Sequence, residues 1–154
     1  MAYQKLQASR ALEVLLSDTI DIPNPAMLAV DSTTTGSGVA KLIDSAGDFI
    51  NKGIKAGDII YSQGNVLSKV FSVDSATELT VTVAIGTSRT YKIYSQVTPQ
   101  NGCILYVGLT GDLKVNTAAG DTVTFKDVQA GSFIPVQVTR AWASSSARDI
   151  VALW

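Results

Sequence analysis

The sequence predicts an all-β protein of two small lobes: a β-sandwich or jelly-roll-like lobe built from both chain ends, residues 1–25 and 103–154, and an inserted small β-barrel, residues 31–98. Three observations predict it. Short apolar segments rich in β-branched residues are separated by Gly, Asn, Asp and Ser at intervals of about 8 to 12 residues, the rhythm of a sheet protein. Apolar and polar residues alternate through "DLKVNTAAGDTVTFK", residues 112–126. Two breaks in the rhythm, the Ser/Thr/Gly stretch "DSTTTGSG" at 31–38 and "SQVTPQNG" at 95–102, mark the lobe boundaries.

Taken in order, "RALEVLL" at 10–16 is the first strand, and Pro23 and Pro25 forbid a continuing ladder beyond it. Residues 26–30 and 99–102 are expected as connectors, the second carrying Pro99 and the turn dipeptide Asn101-Gly102. The inserted lobe reads as "VAKLI", "GDIIYS", "VLSKVFSV", "ELTVTVAI" and "TYKIYS". Phe49, Ile50 and Ile54 fall at near-helical spacing, but Gly53 and Gly57 limit a helix to about one turn, predicting a cap over one end of the barrel. Between 112 and 126 the alternation places Leu113, Val115, Val123 and Phe125 on one buried face and Lys114, Asn116, Thr122 and Thr124 on the other. "SFIPVQVTRAW" and "RDIVALW" supply two more strands, Pro135 marking an edge or a bulge, and the terminal "IVALW" is expected to dock into a core.

Composition excludes several classes of function. With 154 residues, 46% of them hydrophobic, the chain can bury a core. Lys and Arg number 12 against 13 Asp and Glu, without a basic block, so nucleic acid is not an expected partner. No apolar run reaches the length of a signal h-region or a membrane span, so a soluble, unprocessed chain with no membrane partner is expected. The single cysteine, Cys103, reads as a small core side chain.

The chain has no histidine, which removes Ser-His and Cys-His nucleophile pairs and most zinc sites. Carboxylate-only chemistry would have to draw on Asp44, Asp48, Asp58, Asp112 and Asp121, nearly all beside Gly or Ser, where Asp commonly caps turns. "DSAGDFINKGIKAGD" departs from a calcium loop, and "GLTGD" lacks the Lys-Ser/Thr and the following helix of a phosphate cradle. No enzyme activity, cofactor or metal is expected. Among the aromatics, Trp142, Trp154, Tyr91 and Tyr94 are candidates for a sugar-stacking platform, against core or oligomer-seam positions for both tryptophans. Trp142, Trp154, Tyr106 and Phe133 are the candidates for an oligomer or capsid interface.

Residues 105–154, "LYVGLTGDLKVNTAAGDTVTFKDVQAGSFIPVQVTRAWASSSARDIVALW", carry in order a Tyr-Val-Gly, a Gly-Asp, a Thr-Val-Thr-Phe, an Ala-Gly, a Pro-Val-x-Val and an Asp-Ile-Val-Ala-Leu-Trp. With "SDTIDIP" at 17–23, this series resembles the head spike base proteins of tailed phages and gene transfer agents, over about half of the chain. Simpler members of that family join the two segments almost directly; here residues 26–102 intervene. The inserted segment from Leu42 to Val83 resembles a small β module found in many phage virion proteins.

The resemblance implies a virion protein on the capsid exterior, a decoration protein or spike/fibre base. It would bind the major capsid protein and itself as a trimer or pentamer, with a fibre or a host-surface glycan as a further contact. It brings no catalytic residues. The alternative is a carbohydrate-binding or host-adhesion module of a virion.

Overall fold

A computed structural model of the chain describes residues 8–96 and 100–154. Part of the expected second boundary, including Pro99, lies outside the described residues. The protein is all-β: two six-stranded antiparallel sheets, with a single 3-10 turn at Pro25–Met27 and no α-helix among the described residues. The chain divides into two compact units, residues 1–25 with 99–154, and residues 26–98.

The terminal unit holds β1 (Ala11–Glu13), β8 (Cys103–Leu109), β9 (Gly111–Thr117), β10 (Thr122–Val128), β11 (Ser132–Ala141) and β12 (Arg148–Leu153), in the order β1-β12-β8-β11-β9-β10. One sheet stands where a two-sheet sandwich was expected. β11 is the reason: it pairs with β8 through Ser132, Phe133 and Ile134, and with β9 through Arg140 and Ala141. Val138 is shared by both partners, opposite Cys103 and Thr117. Register shifts on either side of Val138 bend the strand, as bulges do, and Pro135, which cannot donate to a ladder, lies within the first of them. The core is enclosed by Val14, Ile22, Leu105, Val107, Leu113, Val115, Ile134, Val138 and Ile150, with Trp154 packed against it.

"RALEVLL" enters this sheet as expected, though its ladder is short: Ala11, Leu12 and Glu13 pair with Leu153, Ala152 and Val151. Beyond it "SDTIDIP" runs beside β11, with the Ser17 amide donating to Ala141 O (2.9 Å) and the Ile22 amide to Thr139 O (2.8 Å). Arg140 fastens the segment, donating from Nε to Asp21 Oδ1 (2.7 Å) and from a terminal nitrogen to Asp18 O (3.1 Å). The polar residues of that motif are therefore a clamp, and Ile20 and Ile22 are its buried side.

The expected one-faced hairpin at 112–126 needs correction. Val123 pairs with Val115 and Phe125 with Leu113, so the parity is right and Leu113 and Val115 are buried. β10, however, is an edge strand, and Val123 remains 40% exposed. The ladder with β9 shifts register between Phe125 and Val128, with Asp127 at φ 48°, and an irregularity of this kind is one way an edge strand is kept from further pairing.

The inserted unit holds β2 (Leu28–Thr33), β3 (Lys41–Ile43), β4 (Ile59–Ser62), β5 (Val66–Val73), β6 (Glu78–Val81) and β7 (Thr90–Tyr94), in the order β2-β7-β4-β5-β6-β3. The expected barrel is not closed. The two outer strands, β2 and β3, meet just beyond the end of β2, in one isolated bridge between Gly36 and Ile43 and a bond from the Thr35 amide to Ile43 O (2.9 Å). The residues expected as a connector, 26–30, already contain the start of β2. Nor is 31–38 a solvated linker: Thr34 is buried, and its hydroxyl donates to Gly86 O (2.6 Å) and accepts from the Arg89 amide (2.9 Å). The predicted cap is a set of turns at 49–53 that sends Phe49 into the core, Ile54 following it, while Ile50 stays exposed. Val30, Leu42, Ile60, Val70, Leu79, Val81, Ile85, Tyr91 and Ile93 complete that core.

Candidate docking face

The alternation of the terminal sheet sends Cys103, Leu105 and Val107 inward and therefore Ile104, Tyr106 and Gly108 outward. Pairing carries that outward parity across four strands. Tyr106 lies opposite Val151 on one side and Phe133 on the other, and Val151 lies opposite Glu13. In the next row Ile104 lies opposite Leu153, which lies opposite Ala11. The result is a face with Ile104, Tyr106, Phe133, Val151 and Leu153 at its centre. The Tyr106 and Phe133 rings pack tilted, with centroids 5.4 Å apart and planes at 58°, in the range where aromatic pairs attract. Phe133 remains 60% exposed, and none of these five side chains belongs to the core behind the sheet.

The glycines of "VGLTGD" are explained by close approach of backbone. A Cβ on Gly108 would lie 2.7 Å from Asp149 O and 2.8 Å from Asp149 Cβ. One on Gly111 would press on Ala147 N and sit 2.6 Å from Ser146 C. The same turn is tied down by serines: Ser145 Oγ accepts from the Lys114 amide (3.0 Å) and Ser146 Oγ from the Asp112 amide (2.8 Å). Asp149, left-handed at φ 53°, is thereby set over Gly108 on the outward face. Glu13 and Asp149 are exposed at the border of the apolar centre, and neither carboxylate has a hydrogen bond or ion pair among the described residues. The two arginines of these four strands are engaged elsewhere, Arg140 with Asp21 and Arg148 with the carbonyls of Ser145 and Ala147.

Of the four interface candidates, the structure brings together Tyr106 and Phe133. Trp154 lies against the core, and its carbonyl accepts from the Ser9 amide (2.6 Å). Trp142 is half-buried beside β9: its Nε1 donates to Asn116 Oδ1 (2.8 Å), and Lys114 Nζ sits 4.0 Å from its ring centroid. A cation over one ring face and a committed indole N–H leave Trp142 poorly placed to stack on a sugar. Tyr91 and Tyr94 are buried, which removes both from any stacking platform. Ile104, Val151 and Leu153 were missed in the sequence, where each reads as one more residue of a buried strand.

The candidate carboxylates stand apart, Asp112 at the start of β9 and the others in loops and turns. Asp58 is buried and accepts from the Lys55 (2.9 Å) and Gln96 (3.0 Å) amides. Asp48 accepts from Asn51, and Asp121 is exposed in the β9–β10 turn. Asp112 accepts from Lys126 Nζ (2.6 Å) and from the Asp127 amide (3.0 Å), which holds its carboxyl below the usual range. Asp44 is buried, and burial, the largest single influence, pushes its pKa up; bonds from Tyr91 (2.6 Å), Ser32 (2.7 Å) and the Ala46 amide (2.9 Å), with the charge of Lys52, outweigh it and leave the group below the ordinary value. Among the described residues, no three His, Cys, Asp or Glu side chains gather as a metal site. Cys103 is buried and donates to Val138 O (3.2 Å), and burial pushes its thiol up to about 12.

No protein-family model, curated protein or solved structure matches the chain.

Proposed function

We propose that the protein is a structural component of a virion, carried on the outer capsid surface as a decoration protein or spike/fibre base. It binds the major capsid protein and associates with itself. The observation that carries this reading is the outward apolar row centred on Tyr106 and Phe133, in which Phe133 stays 60% exposed against the Tyr106 ring while its apolar neighbours are half-buried; an ordered, exposed aromatic of this kind is a natural anchor for another surface. The ordered series of motifs at 105–154 is its second support, because its glycines, serines and clamp residues build the sheet that carries the face. The inserted unit, with a core of its own, is the part available for a fibre or a host surface.

The test is binding of the purified chain to capsid shells assembled without it, followed by imaging of the decorated particle. Saturable occupancy of symmetry-related positions is expected. Shells that remain bare at excess protein would refute the reading. Self-association in rings, three or five copies being the expected closures, is checked by sedimentation of the free protein.

A further inference from the structure

We infer that Asn101 is a site of spontaneous covalent modification: in the folded protein its side chain cyclises onto the Gly102 nitrogen and reopens to a mixture of aspartate and isoaspartate. The reaction needs no co-reactant except water. The backbone nitrogen of Gly102 attacks Asn101 Cγ and gives up its proton, the bond from Cγ to the side-chain nitrogen breaks, and ammonia leaves a succinimide ring behind. Water then adds to either ring carbonyl. One opening restores the normal backbone as aspartate; the other routes the chain through the side chain, as isoaspartate, and lengthens it by a methylene.

Attack is favoured by an uncrowded nitrogen, an amide hydrogen held by no acceptor and a side chain free to turn over its own backbone. Asn101 and Gly102 lie outside the ladders, just before β8. Asn101 is exposed, and among the described residues neither its side chain nor the Gly102 amide makes a hydrogen bond. Gly102 has no Cβ to crowd the ring, and the fold demands glycine there: its φ is 75°, and a Cβ would sit 3.1 Å from Gln137 C and Val138 N. The sheet thus keeps the most reactive neighbour beside Asn101.

The other four asparagines lack one or more of these conditions. Asn24 precedes Pro25, whose nitrogen has no proton to lose. Asn51 Nδ2 donates to Asp48 (2.8 Å), and the following amide, Lys52, donates to Asp48 O (3.0 Å). Asn116 Oδ1 accepts from Thr122 (3.0 Å) and Trp142 (2.8 Å), and the Thr117 amide donates to Asp121 O (2.8 Å). Asn65 is followed by Val66, whose branched Cβ crowds the approach. Either product at Asn101 adds a carboxylate to a chain of formal net charge -1 at pH 7. Because Asn101 is exposed and outside every strand, the modified chain stays folded.

The experiment incubates the full chain at mildly alkaline pH, folded and in parallel unfolded in denaturant, and follows each asparagine by peptide mass spectrometry. The peptide carrying Asn101 is expected to gain the mass difference between OH and NH2 and to split into two chromatographic forms. Its rate in the folded chain should lie within about tenfold of that in denaturant, since no hydrogen bond has to open first. Asn51, Asn65 and Asn116 in the folded chain should lag Asn101 by about tenfold or more. Asn101→Gln, which closes the larger ring far more slowly, should melt as wild type does and lose most of the acidic species seen by ion exchange. Asn101 that stays intact in the folded chain overturns the inference, whether or not the unfolded chain converts. A folded Asn101→Gln variant that acidifies at the wild-type rate also overturns it, by placing the reaction at another residue.

Discussion

Asp44 shows what one buried carboxylate does in the inserted unit. Its Oδ2 accepts from Ser32 on β2 and from Tyr91 on β7, and it follows β3, so it ties together the two strands that the ladder leaves open. Tyr91→Phe removes one donor and leaves the carboxylate desolvated with two, which should cost this unit about 1–3 kcal/mol in denaturant unfolding. The pH dependence has a definite sign. Because the folded group titrates below the ordinary aspartate value of 3.8, its contribution is present above that value and is lost as pH falls through and below it. Asp44→Asn should therefore flatten the acid side of the stability profile of this unit, and an unchanged profile would show that Asp44 carries none of it. Cys103 gives a residue-scale expectation in the other unit. A buried thiol with its pKa raised should resist alkylation at neutral pH until the protein is unfolded, as a thiol-counting assay would read.

Among the elements, β11 and the turn between it and β12 are decisive. β11 serves two partners, and the turn brings the backbone at 146–149 directly against Gly108 and Gly111. Gly111→Ala places a methyl group against backbone that cannot swing aside, so a loss of roughly 1–3 kcal/mol in the terminal unit is expected. Gly86→Ala, where the nearest atom is Arg89 Cγ at 3.8 Å and the side chain can move, should be close to neutral. Equal melting of the two variants would contradict the close-approach account. Alternation made β9 and β12 readable in the sequence, because inward and outward residues differ in polarity along β9 and the apolar run of β12 demanded burial. It misjudged β10, because parity says which face a side chain takes and not whether anything covers that face.

At the scale of the whole molecule, the insertion is physically easy. The inserted unit begins and ends on paired strands, Leu28 opposite Tyr94, with the Ser95 amide donating to Met27 O (2.9 Å). On the terminal unit the chain leaves beside Thr139 and returns beside Val138, its neighbour in β11. Both closures are short, so neither unit needs the other to bring its ends together. Deleting residues 26–98 and bridging with a short Gly-Ser loop should leave the terminal unit folded, with cooperative melting and the hydrogen-exchange protection of β8 and β12 retained. Loss of the cooperative transition would show that the units depend on each other.

Local composition was enough to establish the all-β class, the existence of most strands and the core role of Cys103, since these follow from side-chain periodicity and from backbone chemistry carried by single residues; at Pro135 it offered an edge or a bulge, and the register shift between Ile134 and Val138 decided for the bulge. The Ser/Thr/Gly stretch at 31–38 misled because threonine suits both a solvated linker and a strand, and only the carbonyl of Gly86 and the amide of Arg89, distant in sequence, make Thr34 a buried partner. The outward face was half visible, as Tyr106 and Phe133. Its remaining residues lie on β12 and at the neighbouring position of β8, and they join the aromatic pair through the antiparallel register of four strands. That register is a long-range property: Phe133, Tyr106, Val151 and Glu13 form one row because the sheet order is β1-β12-β8-β11, which no local pattern encodes.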